Sequence, residues 1–291
     1  MHKQGYNRRN DNSESAPLIE IVFNHIDSAW STELIRGAER IARENGMSLV
    51  ITVSGDRHAP APDWIDGAMK RRPAGVVFVF SNLAAGHKRQ LQTRKIPFVV
   101  IDPAGNPPPD VPSIGSANWL GGVLATRHLI DLGHRDIAMI SGPDDMMCSR
   151  ARVSGFRSAL DEAGIPVKER FIVSGEFHRE DGVALGRELL SMEHPPTAIF
   201  AGSDLQALGV YEAAREFGID IPGDLSVVGY DDLQLAQWVG PPLTTVRQPL
   251  TEMAEEATRL VIKLRESESV ENLRIDLATT LIVRSSTRRL V

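Results

Sequence analysis

Two adjacent aspartates, Asp231 and Asp232, close the apolar run LSVVGY at 225–230. A carboxylate at the end of a buried strand is well placed to accept hydroxyl hydrogens from a small ligand, because open α/β sheets bind in the crevice beyond their strand ends. As an acid–base or Mg²⁺ pair the two are poorly arranged: strand neighbours point to opposite faces, so only one serves any single site. Asp144-Asp145 in SGPDD fits a loop or a helix N-cap better than a site. The eight histidines are scattered without HExxH or His-x3-His spacing, and the one cysteine, Cys148, has no partner at zinc spacing. Gly-rich phosphate loops are missing, and no nucleophile–base pair is visible. These residues point away from an enzyme, a metal centre or a bound cofactor, and toward binding.

The elements that must position such a site alternate in type. Strand-like runs at 18–23, 47–53, 75–80, 97–101, 136–141, 171–174, 197–201 and 225–230 are separated by segments of helical apolar spacing. Strands this continuously apolar are covered on both faces, as in a parallel sheet. Gly46, Gly133, Gly164 and Gly218 each fall where a helix needs a left-handed C-cap before the next strand. Past Pro242 the chain runs extended to Arg247-Gln248, and a helix follows Pro249. A strand pair is expected around LRIDLATTLIVRSS. That helix arrives after the second half is complete and must return to the first.

Length and charge narrow the class. A chain of 291 residues suits two units of about 100–150 residues each. A net charge of −6 argues against nucleic-acid binding by the bulk of the chain. One cysteine suits a reducing compartment. No stretch approaches the roughly 20 apolar residues of a membrane span, and the N-terminal residues lack the apolar core of an export signal. A cytoplasmic location is the expectation.

Several stretches then resemble the ligand-sensing core of the lactose/galactose-repressor (LacI/GalR) family of bacterial transcription regulators: HLIDLGHRDIAMISGP (128–143), SRARVSGFRSAL (149–160), AIFAGSDLQALGVYEAA (198–214), GYDD with PPLTTV (229–246) and LIVRSST (281–287). The resemblance covers about residues 17–288 and implies an α/β fold of two doubly wound parallel-sheet lobes joined by three crossovers, similar to type I periplasmic binding proteins. It places 17–132 plus 247–276 in an N-terminal lobe and 133–246 plus 277–291 in a C-terminal lobe. Residues 1–16 read as a disordered arm or the remnant of a hinge, Gly5-Tyr6 resembling the end of the family's DNA-binding headpiece, which the sequence itself lacks. The implied function is a small-molecule sensing core, its effector a sugar, in a homodimer that meets operator DNA only through the headpiece. A solute-binding protein of a sugar transport system is the alternative.

The resemblance also proposes site residues. Asp231 becomes the carboxylate that accepts ligand hydroxyls, and Arg152 the guanidinium facing the pocket, against Arg150 as a surface arginine. Phe177 and Trp30 take aromatic positions suited to the apolar face of a sugar. Asn118 and Trp119 fall at pocket positions near a helix start, with Ala117 where the family usually carries an acid. Asp102 either reaches the cleft from a strand end or caps a turn with Pro103; of Ser203 and Asp204, one caps a helix and the other touches ligand. Gln248 resembles a pocket amide on the crossing segment, while Met146 and Cys148 stand where several relatives are polar, making a softer wall.

Overall fold

The computed structural model describes residues 16–26, 28–55, 63–80, 83, 85–105, 107–267 and 273–290, so the expectation for the first fifteen lies outside the described residues. The chain begins β1 (Leu18–Phe23), α1 (Ala29–Glu44), β2 (Ser48–Val53), α2 (Trp64–Arg71), β3 (Gly75–Val79), α3 (Ala85–Thr93), β4 (Phe98–Ile101), β5 (Ser113–Ser116). It continues α4 (Asn118–Asp131), β6 (Ile137–Ser141), α5 (Met147–Glu162), β7 (Ile172–Ser174), α6 (Arg179–Leu190), β8 (Ala198–Ala201), α7 (Asp204–Glu216), β9 (Ser226–Asp231), α8 (Leu235–Trp238), β10 (Thr244–Arg247). It ends with α9 (Leu250–Arg265), β11 (Arg274–Leu277) and β12 (Thr280–Ile282).

Two six-stranded sheets result, ordered β2-β1-β3-β4-β5-β11 and β7-β6-β8-β9-β10-β12. Every described pairing is parallel except that of β12 with β10. The expected α/β class with two doubly wound sheets is therefore the fold. Alternation along the strands explains the layering. Ile19, Ile21 and Phe23 face α1 and α9, while Val22, Val76 and Phe78 face α2 and α3. In the second sheet Ala138 and Ile140 face α6 and α7, and Ile137 and Met139 face α4 and α5. The left-handed C-caps expected at Gly46, Gly133, Gly164 and Gly218 all have positive φ.

Two expectations need correction. The helix at 118–132 was assigned to the first lobe, yet α4 packs on α5 and against β10 and β12 of the second sheet. The chain leaves the first sheet at Ala117, after β5, whose sequence SIGS carries one apolar side chain and gives no strand signal although all four residues are buried. Likewise β11 and β12 do not pair with each other: β11 joins β5, and β12 joins β10. Of the two alternatives for Asp144 the loop holds: it lies in the turn before α5, whose N-cap position Met146 takes, and it accepts from the Ser174 hydroxyl at 2.8 Å.

The α4–α5 contact is close enough that backbone meets backbone. A Cβ at Gly122 would overlap the Arg152 carbonyl, and one at Gly155 would overlap that of Trp119. This approach sets where α5 presents Arg152. Gly155→Ala should therefore cost about 1–3 kcal/mol of stability by overpacking, despite the ~1 kcal/mol that alanine gains in helix propensity. Urea unfolding measures this, and an undiminished midpoint would mean that the helices do not touch there.

Candidate functional site

Parallel strands carry all their carboxyl ends to one edge of a sheet, and here the two edges face each other across a cavity of about 550 Å³. The cavity lies at the switch points of the strand order, between the ends of β1 and β3 on one side and of β6 and β8 on the other. Its volume suits a small molecule, since ligand pockets commonly measure roughly 300–1,000 Å³.

The first lobe supplies an aromatic wall. Trp30, in the first turn of α1, stacks on Phe80 with ring centroids 4.5 Å apart and planes 12° from parallel. Ser28 sets the start of that helix, its hydroxyl accepting from the Ser31 amide. Phe80 follows β3 with a φ of 50°, in the left-handed region that β-forming residues normally avoid. Asn24, beyond β1, lines the same side and donates to the Phe80 carbonyl at 3.4 Å.

The second lobe supplies the charges. Arg152 is 3% exposed, its guanidinium carbon 3.7 Å from the Tyr230 ring centroid and 5.4 Å from that of Phe177. Its Nε donates to Asn118 Oδ1 at 2.8 Å and its Nη1 to the Gly202 carbonyl at 2.6 Å. A buried cation is thus met by neutral acceptors and π faces rather than by a salt-bridged carboxylate. Asp231 ends β9 at a φ of 116°, with Asp232 at 59°. That turn is gripped from two sides: Asp204 accepts from the Leu233 amide at 2.7 Å and the Thr245 hydroxyl at 2.6 Å, and Arg284 donates to Asp232 at 2.5 Å. Gln248 Nε2 donates to Asp231 Oδ1 at 2.8 Å, and Ser116 Oγ donates to Gln248 Oε1 at 2.8 Å.

Burial pushes the Asp231 carboxyl up to about 7, against the opposing pull of the Arg152 charge and the Gln248 amide. Asp204 is raised well above the ordinary aspartate range, by burial first and then by the charge of Asp231. The two carboxyls resist carrying two negative charges at once.

Of the residues singled out in the sequence, Trp30, Met146, Arg152, Phe177, Ser203, Asp231 and Gln248 line the cavity. Ser203 also caps α7, its hydroxyl accepting from the Gln206 amide at 3.1 Å, so Ser203 is both the cap and a lining residue while Asp204 is neither. Four others stand elsewhere. Asn118 sits behind Arg152 and Tyr230 as their acceptor. Trp119, the next residue on α4, points outward and is 46% exposed. Cys148 is buried in α5, its thiol pushed up to about 11 by burial. Asp102, at a φ of 43° after β4, is buried off the cavity lining, raised to about 6 by burial with Arg152 opposing. Cys148 and Arg152, four residues apart, share one face of α5, and of the two only the longer arginine reaches the cavity. Asn24 and Phe80 were missed, although both follow apolar strands of the first sheet and the strand-end rule that selected Asp231 applies to them equally.

The arrangement offers a buried carboxyl, a buried cation and flat apolar walls, the chemistry for holding a hydroxylated ring by its edge and its C–H face. Among the described residues no group of three or more His, Cys, Asp and Glu is placed to hold a metal ion. No helix of the described residues is long and apolar enough to cross a membrane.

Comparison with known proteins adds independent findings. Residues 126–287 match the model of the periplasmic binding protein-like domain family. The ribose operon repressor of Escherichia coli (strain K12) is 36% identical over 272 residues, spanning 92% of this chain and 81% of that protein. The HTH-type transcriptional repressor PurR of Vibrio parahaemolyticus serotype O3:K6 is 30% identical, spanning 95% and 83% respectively. The crystal structure of a LacI family transcriptional regulator from Enterococcus faecium with bound ribose superposes with a TM-score of 0.84 at 25% identity, covering 94% of this chain and all of that one.

The elevated carboxyl makes a pH prediction. Because ionisation of Asp231 is disfavoured in the fold, this group contributes stability that is complete below about pH 4 and is lost as pH rises through about 7. Asp231→Asn removes that loss, so the variant should gain on the parent by a few kcal/mol, to order of magnitude, between about pH 4 and about pH 8. Thermal unfolding across that range tests it; a difference that does not vary with pH would mean that Asp231 titrates in the fold as it does in water.

Proposed function

The chain belongs to the LacI/GalR family of transcriptional regulators, and from that premise we propose that it is the effector-sensing unit of a repressor and that its effector is a small neutral sugar. The observation that carries this reading is the pairing of Asp231 and Arg152 on one wall with the Trp30–Phe80 stack on the other. The buried charges on the lining are one anion and one cation. A phosphorylated or carboxylated ligand would bring a net charge into a low-dielectric site whose other lining arginine, Arg179, is exposed and already paired with Glu180 and Glu212. A polyol brings none: one hydroxyl donates to Asp231, a neighbour accepts from Arg152, and the ring face lies on the aromatic plates. The ribose held by the Enterococcus faecium relative and the name of the Escherichia coli relative favour a monosaccharide.

The effector shifts lobe orientation by its difference in affinity for the two arrangements. In a homodimer, lobe movement alters how two half-sites of operator DNA are gripped, which is how a cytoplasmic repressor reads a metabolite. A transport-type solute-binding protein is the second reading, favoured by the match to the periplasmic binding protein-like domain. It predicts a monomer that binds its sugar without any effect on DNA.

A thermal-shift panel of D-ribose, cellobiose, ribose 5-phosphate and hypoxanthine discriminates among ligands. At about a hundredfold above Kd a true effector adds about 2.7 kcal/mol, and the expected order places a neutral sugar first. Stabilisation by hypoxanthine alone overturns the sugar reading. Asp231→Ala and Arg152→Ala should each weaken the effective sugar by about 10–100-fold while circular dichroism shows an intact fold; full affinity in both removes them from the site.

A further inference from the structure

Arg152 and Asp231 are joined behind the cavity by an unbroken run of hydrogen bonds. Arg152 Nε donates to Asn118 Oδ1 at 2.8 Å, and Asn118 Nδ2 donates to the Ser116 carbonyl at 3.2 Å. Ser116 Oγ donates to Gln248 Oε1 at 2.8 Å, and Gln248 Nε2 donates to Asp231 Oδ1 at 2.8 Å. With Asp231 ionised, the two ends set the directions. An ionised Asp231 only accepts, so the Gln248 NH₂ faces it and the amide oxygen faces Ser116. Arg152 only donates, so Asn118 presents its oxygen to the guanidinium and its NH₂ to Ser116.

The run crosses between lobes at one residue. Arg152, Asn118 and Asp231 belong to the second lobe, and Gln248 lies on a crossing segment; Ser116 is the last residue of β5 and so of the first sheet. Ser116 is buried, and it is used twice, by its carbonyl toward Asn118 and by its hydroxyl toward Gln248. Next to it Ala117 is held by the third crossing: its amide donates to the Leu277 carbonyl at 2.8 Å and its carbonyl accepts from the Thr279 hydroxyl at 3.2 Å. All three crossings therefore meet within two residues of Ser116.

We propose that Ser116 is the positioning residue through which occupancy of the cavity is conveyed to lobe orientation. This rests on the reading that the cavity binds an effector through Asp231 and Arg152. A ligand bridging these two closes the run into a ring, and a ring constrains its members more than an open chain does. Ser116 is the first-lobe member of that ring and does not line the cavity. The role is one of coupling, distinct from ligand contact, and it accounts for Asn118 and Gln248 facing Ser116 with half of each amide.

The test uses spin labels on exposed positions of the two lobes, Gln92→Cys on α3 and Glu188→Cys on α6, with Cys148 left buried. Pulsed electron resonance reads the inter-lobe distance with and without saturating D-ribose, and calorimetry reads affinity. In the labelled parent D-ribose shifts the distance. Ser116→Ala should keep D-ribose affinity within about threefold and lose more than half of the shift. Ser113→Ala removes a buried hydroxyl with no partner from the same strand and should behave as the parent. A full shift in Ser116→Ala overturns the proposal, and so does loss of D-ribose binding in that variant. If the parent binds no D-ribose, the sugar reading fails instead, and the unliganded distance distribution decides: broadening in Ser116→Ala but not in Ser113→Ala upholds the coupling role, and equal widths overturn it. Ser116→Cys, which puts a larger and weakly donating thiol in place of the hydroxyl, stands in if the alanine variant does not fold.

Discussion

The constraint that shapes this molecule is a carboxylate and a guanidinium held out of water beside the same cavity without forming a salt bridge with each other. Each buried charge is costly alone, so each has been given neutral partners. Arg152 has the Asn118 amide oxygen, the Gly202 carbonyl and the Tyr230 ring; Asp231 has the Gln248 amide. Those partners draw in the rest. Tyr230 is fully buried because it must lie beneath the guanidinium, and its hydroxyl in turn donates to Asn118 at 3.3 Å. α4 and α5 touch backbone to backbone at Gly122 and Gly155 because Asn118 and Arg152 have to meet.

Backbone strain clusters around the same place. Phe80, Asp102, Phe177, Asp231 and Asp232 all have positive φ, and all follow or end strands at the facing sheet edges or lie in the loop beyond one. Such conformations cost roughly 1–3 kcal/mol each in side-chain-bearing residues and persist where the surroundings over-determine them. For Asp231-Asp232 the surroundings are identifiable: Asp204 from α7, Arg284 from the C-terminal segment and Gln248 from the crossing. Asp204, itself buried and raised in pKa, is thus a brace for the turn and stands off the cavity lining.

Much of this was legible in the sequence. Apolar runs bounded by C-capping glycines give the strands and helix ends because those signals are local. Asp231 was legible because a charge at the end of a buried strand has few structural explanations. What escaped depends on contacts distant in sequence. β5 is buried on both faces with a single apolar side chain, so no pattern announces it, and the lobe boundary was misplaced to the end of α4 in consequence. Asn118 is expected at the pocket from its place near a helix start; only the packing of α5 shows that its partner is Arg152. Phe80 reads as one more strand residue until its left-handed backbone turns the ring against Trp30.

One asymmetry follows from where the groups sit. Asp231 and Arg152 both belong to the second lobe, so on the proposed reading a ligand bound by them alone would sense the first lobe only through the hydrogen bonds that run behind them to Ser116. Affinity from those two charges cannot by itself move the equilibrium between arrangements. The difference in affinity has to arise from first-lobe surfaces, which here are the Trp30–Phe80 stack, Asn24 and the Gln248–Ser116 bond. An aromatic stack of this kind contributes about 0.5–1.5 kcal/mol beyond its buried area, and a ligand face laid on it adds contact that exists only when the lobes close. On the proposed reading, recognition and response are divided between the lobes: the charged wall would select the hydroxyls, and the aromatic wall with its hinge-side hydrogen bonds would convert their presence into a change of shape.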